Sequence, residues 1–321
     1  MRRRGTQYAI IATILVIVAG IFGQVGRSMG SEPLHATPET DPSPVDTSHA
    51  PVPLSVGHAD GGGVGGIQAA SGPVAELPWQ GDGRFAQASE QSGAKVLMAA
   101  YRTVLKDPLP GEEYNVHLAA RFLSGTLVKP GEIFSQNRRV GPYSRARGFR
   151  EGPTYSGANL IKTTGGGVCK IASTLYNVAV LANLPIVERR NHSMPVPYVP
   201  YGQDATVAEG VVDFRFRNDR SSPILIWAQG IDNTLYIAFY GAEKPPRVEW
   251  HHETLSVVKA PTVTKKNPNL PAGAKKLVAE GMDGKAVRSW VTIVQPDGST
   301  TVKKMGVSYY RPFPNIVEVG S

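Results

Sequence analysis

The chain has 321 residues, a formal net charge of +8 and a pI near 9.5. That length holds one or two ordinary domains with real cores. The basic balance suits an anionic surrounding; nucleic acid is not expected as that partner, because no basic–aromatic recognition motif accompanies the charge.

The N-terminus reads as an export segment. Arg2, Arg3 and Arg4 precede an apolar stretch from Tyr8 to Phe22, interrupted inside only by Thr13. It sits near the lower limit of about 17 residues for a membrane span, and has the length of a signal core. Gln24, Arg27 and Met29 spoil any small-residue cleavage site. Residues 1–30 are therefore expected to be a signal anchor, with a cleaved signal peptide as the alternative; either way the remainder is exported.

Residues 31–83 read as a flexible tether, with Pro33, Pro38, Pro42, Pro44, Pro51 and Pro53 ahead of the Gly61–Gly66 run. A helix is expected from Ser89 to Leu105, where Val96, Leu97, Tyr101 and Leu105 share a face. A second is expected from Glu113 to Leu123. From Thr126 the text turns strand-like, broken by turn signals at Lys129-Pro130-Gly131 and Val140-Gly141-Pro142. A largely buried helix is expected from Ile171 to Leu184, stopped by Pro185. Strands are expected at Asp213–Arg217, Ile224–Ala228 and Leu235–Tyr240, the last two as a hairpin.

Lys244-Pro245-Pro246 closes this first domain, residues 84–246. Residues 247–321 carry only strand-like runs, at Thr254–Val258, Lys275–Glu280, Arg288–Val294 and Thr300–Met305. Asp283-Gly284 and Asp297-Gly298 are hairpin dipeptides between them. The fold class is thus α+β: a mixed catalytic-type domain with a buried helix after a Gly-rich Cys motif, plus a small C-terminal all-β module.

The chemistry centres on the single cysteine, Cys169, in Gly165-Gly166-Gly167-Val168-Cys169-Lys170. A lone thiol in an exported chain has no internal disulfide partner, and a helix N-terminus lowers its pKa. The glycines would let backbone approach whatever meets the sulfur. Cys169 therefore reads as a nucleophile, against the plainer reading of a small buried hydrophobe.

The base would be His192, 23 positions later, since an extended return over a helix of about 21 Å can bring it back beside the thiol. Of the other histidines, His35, His49 and His58 fall in the tether, His117 on a helix, and His251 and His252 in the β module. His192 could equally be a structural hydrogen-bonding group. Asp204 would orient it, with Glu188 and Asp213 competing for that role. Backbone N–H groups at Gly166, Gly167, Val168 or Cys169 would meet an oxyanion. Lys170, Arg189 or Arg190 could hold substrate carboxylates by nearness to the motif. No metal or organic cofactor is expected: His251 and His252 diverge as neighbours, and no Gly-Lys-Ser/Thr comes after the glycines.

Many motifs in fixed order carry a family resemblance. They are Gly125–Asn137, Val140-Gly141, Gly165–Cys169, Ser173–Asn177, Glu188-Arg189, His192-Ser193, Tyr198-Val199-Pro200, Gly202, Asp204–Val207, Asp213, Arg215-Phe216 and Asn218. Over roughly residues 113–241 the chain resembles the VanW-like family. The tail, with Gly273, Gly281, Gly284, Gly298 and Gly320 around short strands, resembles the five-glycine envelope module.

The first resemblance implies a cell-envelope protein acting on peptidoglycan, because some VanW-like domains are linked to L,D-transpeptidase activity. Cys169 and His192 would then be the catalytic pair and peptidoglycan stem peptides the partner. The family usually has Gln where this chain has Lys170, whose ammonium could depress the Cys169 pKa. Anionic wall polymers are a further partner suggested by charge, and the membrane is one through the N-terminal segment. The alternative is a non-catalytic peptidoglycan-binding or scaffold protein linked to wall maintenance or glycopeptide resistance. A cysteine endopeptidase or amidase on the same polymer is a third reading.

Overall fold

The computed structural model describes residues 70–320 apart from 106, 107, 109, 157 and 158. The signal segment expected at 1–30, and most of the tether expected at 31–83, lie outside the described residues. The tether reading fails at its end. Strand β1 (Gly72–Pro73) pairs antiparallel with β2 (Val96–Val104), and Leu77 and Trp79 are buried. The Trp79 indole N–H donates to the Tyr240 hydroxyl at 2.9 Å, so two large apolar side chains suffice to pin a Pro/Gly-rich segment.

The helix expected from Ser89 to Leu105 is also corrected. Helix α1 (Gly83–Ser92) is capped by Asp82 and ends at Gly93, whose φ of 68° is left-handed. The chain then enters β2, because Val96–Val104 divides its side chains between two cores. Met98 and Tyr101 enter one and Leu97 and Ala100 the other, so no polar face reveals the strand period.

Helix α2 (Glu112–Leu123), β3 (Thr126–Val128), β4 (Ile133–Ser135), α3 (Gln136–Val140), β5 (Glu151–Ser156) and β6 (Asn159–Thr164) lead to the thiol. Helix α4 (Cys169–Leu181), β7 (Ile186–Glu188), β8 (Arg215–Arg217), β9 (Ile224–Ile231) and β10 (Thr234–Gly241) complete the domain. Its central antiparallel sheet runs β1-β2-β10-β9-β3. Ile224, Ile226, Leu235, Ile237 and Phe239 face α2 and α4, while Leu225, Trp227 and Tyr240 pack with Trp79 and Phe85 on the other side. Both faces are covered, which is why Ile224–Ala228 is apolar without alternation. Phe239 is 0% exposed, and cutting it to alanine would cost about 3–5 kcal/mol.

The C-terminal module is all-β. One sheet is β11 (Arg247–Val258), β14 (Gly284–Val294) and β15 (Thr300–Tyr310) in that order; the other is β12 (Thr262–Asn267), β16 (Asn315–Gly320) and β13 (Lys275–Ala279). Asp297-Gly298 turns β14 into β15 as expected, with Gly298 at φ 83°. Asp283-Gly284 does not make a hairpin. It links strands of different sheets, and the Asp283 carboxylate instead accepts from the Ala260 N–H and Lys259. No helix of the described residues is long and apolar enough to cross a membrane.

Candidate functional site

Helix α4 is buried along almost its whole length, so its polar residues must find partners inside the protein. Cys169, Ser173 and Asn177, four residues apart, form one stripe. The segment from Gln203 to Val207 runs antiparallel along it. Asn177 Nδ2 donates to the Gln203 carbonyl at 2.8 Å. Ser173 bonds both backbone groups of Ala205 at 3.0 Å. The sulfur meets Thr206 Oγ1 at 3.4 Å and the Val207 N–H at 3.5 Å. The match is metric: four helical residues rise about 6 Å, and two extended residues span about 6.6 Å.

That lacing places Asp204, 1% exposed, beside the loop after β7. Its Oδ2 accepts from the backbone N–H of His192 and pairs with His192 Nδ1, each at 2.6 Å. Nδ1 is thereby occupied, and the imidazole lies near enough to Cys169 for each group to shift the other's charge state. The structure thus brings Cys169, His192 and Asp204 into one chain of contacts. Cys169 as a whole residue is partly exposed.

Electrostatics favour a charged pair. Burial opposes the thiolate, but the nearby His192, with Thr206 and Val207, outweighs it and holds the thiol below its usual value. Burial likewise opposes the imidazolium, yet Asp204 and Cys169 raise His192 to about 9. The Asp204 carboxyl is depressed despite its burial, through His192 and Arg189. Cys169 at the first turn of α4 also sits at the positive end of a helix dipole.

The competing carboxylates are engaged elsewhere. Asp213 accepts from Ser135 and the Asn137 and Phe214 N–H groups, capping α3, while Glu188 accepts from the Asp213 N–H. Lys170 is corrected as a substrate or thiol-tuning group. It is 3% exposed and donates to the Asn233 carbonyl at 2.9 Å, in a small cavity lined by Glu112, Glu113 and His117. Burial lowers its amine to about 8.

Arg189 is corrected similarly, since every nitrogen of its guanidinium is spent inside the protein. Nε donates to the Asp204 carbonyl at 2.7 Å, Nη2 to Asp204 Oδ1 at 3.1 Å and Nη1 to Ser308 Oγ at 2.9 Å.

The glycines are needed for packing. A Cβ on Gly166 would collide with the Gly152 and Pro153 backbone, and Gly167, at φ 100°, lies against Glu112. The N–H groups of Gly166 and Val168 bond Thr163 and Gly165 within the turn, whereas the turn's own backbone bonds leave out those of Gly167 and Cys169. Thr206, Val207, Ser173 and Asn177 were not singled out from sequence as parts of the site. Part of their signal was there: Ser173 and Asn177 follow Cys169 at four-residue spacing, which puts polar side chains on one stripe of a largely buried helix.

Residues 111–240 match the family model described as VanW like protein, and residues 251–321 match the G5 domain model. The uncharacterized protein YoaR of Bacillus subtilis (strain 168) is 37% identical over 146 residues, 46% of this chain and 48% of that protein. The vancomycin B-type resistance protein VanW of Enterococcus faecalis (strain ATCC 700802 / V583) is 34% identical over 139 residues, 42% of this chain and 50% of that protein. The chain thus spans about half the length of the curated relatives it matches. Among solved structures, an IgA1 protease G5 domain is 24% identical, covering 25% of this chain and 98% of its own, with a TM-score of 0.16. HP0197-G5 is 17% identical, covering 23% and 99%, with a TM-score of 0.14. This chain carries a VanW-like domain over residues 111–240 followed by a G5 domain over residues 251–321.

Proposed function

We propose that this is an extracellular cell-envelope protein that engages peptidoglycan, with the β module as its wall-attachment element. The observation that carries this reading is the pairing of the two domains in one chain, since both kinds are typical of extracellular envelope proteins. Similarity to a protein named for vancomycin resistance supports a tie to the wall polymer that glycopeptides target. A binding or scaffold role satisfies all of this without chemistry.

A second reading is favoured by the contacts among Cys169, His192 and Asp204. In it the thiolate attacks the carbonyl of the third residue of a stem tetrapeptide, forming a thioester. His192 protonates the departing D-alanine amine. The side-chain amine of a second stem then displaces the thiol and forms the new amide, or water releases a free carboxylate.

One experiment separates the two. The full chain and its Cys169→Ala variant are sedimented with insoluble peptidoglycan, and both are incubated with a disaccharide-tetrapeptide for intact-mass and product analysis. Retention of both proteins without adduct or product supports the binding role. A covalent adduct lost in Cys169→Ala, with free D-alanine and cross-linked dimer, supports acyl transfer. Failure to sediment and failure to react together sink both readings.

A further inference from the structure

We propose that Tyr310, at the end of β15 in the G5 domain, is a positioning residue for the Cys169–His192–Asp204 array, which is complete only with that domain docked. This rests on the array being a reactive thiol site, and it assigns the β module a part in that site beyond wall attachment.

The Tyr310 hydroxyl donates to Asp204 Oδ1 at 2.5 Å and accepts the Gly202 N–H at 2.8 Å. Arg189 Nη2 adds a second donor to the same Oδ1. Both external donors therefore occupy one carboxylate oxygen, which leaves Oδ2 to the two N–H groups of His192. A carboxylate so divided cannot swing without breaking bonds on both oxygens, and that fixes the ring that faces the thiol.

The neighbours of Tyr310 grip the same loop. Arg311 N–H donates to the Ser193 carbonyl at 2.8 Å, Asn191 Nδ2 donates to the Tyr309 carbonyl at 2.9 Å, and Ser308 Oγ accepts from Arg189. Four consecutive residues of the β module thus hold residues 189–193 and Asp204 together. Tyr310 is 6% exposed and stacks edge-on against Tyr201, so its ring is buried at the seam. A tyrosine that only filled this seam could lose its hydroxyl with little consequence for the thiol.

The test uses the full chain and needs no substrate, because the protein holds 1 cysteine and alkylation reports that thiol alone. Iodoacetamide labelling rate is followed across pH by intact mass in wild type, Tyr310→Phe, Asp204→Asn and the double variant, with thermal melting as a fold control. We expect Tyr310→Phe to melt cooperatively and to shift the acid limb of the labelling profile upward by about one pH unit, a roughly tenfold slower reaction at fixed pH below it. In the Asp204→Asn background the same change should do nothing more, because Tyr310 acts through that carboxylate.

A wild-type profile in Tyr310→Phe, or additive effects in the double variant, overturns the proposal while leaving the array intact. A wild-type thiol that titrates like a free cysteine overturns the array and the proposal with it. Should Tyr310→Phe not fold, Ser308→Ala, which loosens the same grip through Arg189, must show the upward shift; a wild-type profile there also overturns it.

Discussion

Ser173 and Ala205 bond to each other twice: the serine hydroxyl donates to the alanine carbonyl and accepts the alanine N–H, both at 3.0 Å. One small hydroxyl on a buried helix thereby imitates a strand partner and sets the register of residues 203–207 against α4. Ser173→Ala should leave two buried backbone groups unpaired. We expect a loss of about 1–3 kcal/mol in urea unfolding, together with slower labelling of Cys169 below neutral pH. Stability loss with an unchanged labelling profile would mean the register does not depend on that hydroxyl.

The charged pair makes stability depend on pH. The folded-state value of His192 is about 9, raised from 6.5. Its contribution is therefore fully present below the unfolded value and is lost as pH rises through the folded one. The stability difference between wild type and His192→Gln should be greatest in mildly acid solution and shrink as pH passes about 9. Denaturant midpoints across pH check this, and a difference that grows with pH would mean the folded state holds the imidazole neutral.

Lys170 is next to the cysteine in sequence but serves another part of the structure. Its ammonium is spent on the Asn233 carbonyl, at the tip of the β9–β10 hairpin. Lys170→Gln should leave the Cys169 labelling profile where it is. A shift of that profile upward would restore the lysine as a neighbour that stabilises the thiolate.

Gly166→Ala introduces a methyl into backbone at Gly152 and Pro153, on the strand that lies over the motif. Overpacking of that kind costs about 1–3 kcal/mol where the surroundings can yield. Here both obstacles are main chain, so the upper end is expected in thermal melts. A neutral substitution would show that the β5–β6 hairpin moves freely away from the thiol turn.

Local punctuation was legible where it dominated. Pro185 and the apolar run after Cys169 gave α4, and Asp297-Gly298 gave a hairpin. The strand β2 was missed because burial on both faces erases alternation, leaving apolar spacing that also suits a helix. The packed segment at Leu77 and Trp79 was hidden by the prolines and glycines around it. Asp283-Gly284 looks like Asp297-Gly298 in sequence, yet its flanking strands pair in different sheets.

By itself the sequence determined the residue types on which a reactive-thiol reading rests: one cysteine at a helix start, one histidine at a workable return distance, and three acidic residues that could orient it. Choosing among those acids was a tertiary decision. Glu188 and Asp213 are consumed by each other and by the cap of α3, whereas Asp204 is carried to His192 by hydrogen bonds from Ser173 and Asn177. Only the tertiary structure could also bring Tyr310, 106 positions away, onto the same carboxylate. A contact of that span depends on how two sheets and a helix pack, and no local pattern encodes it.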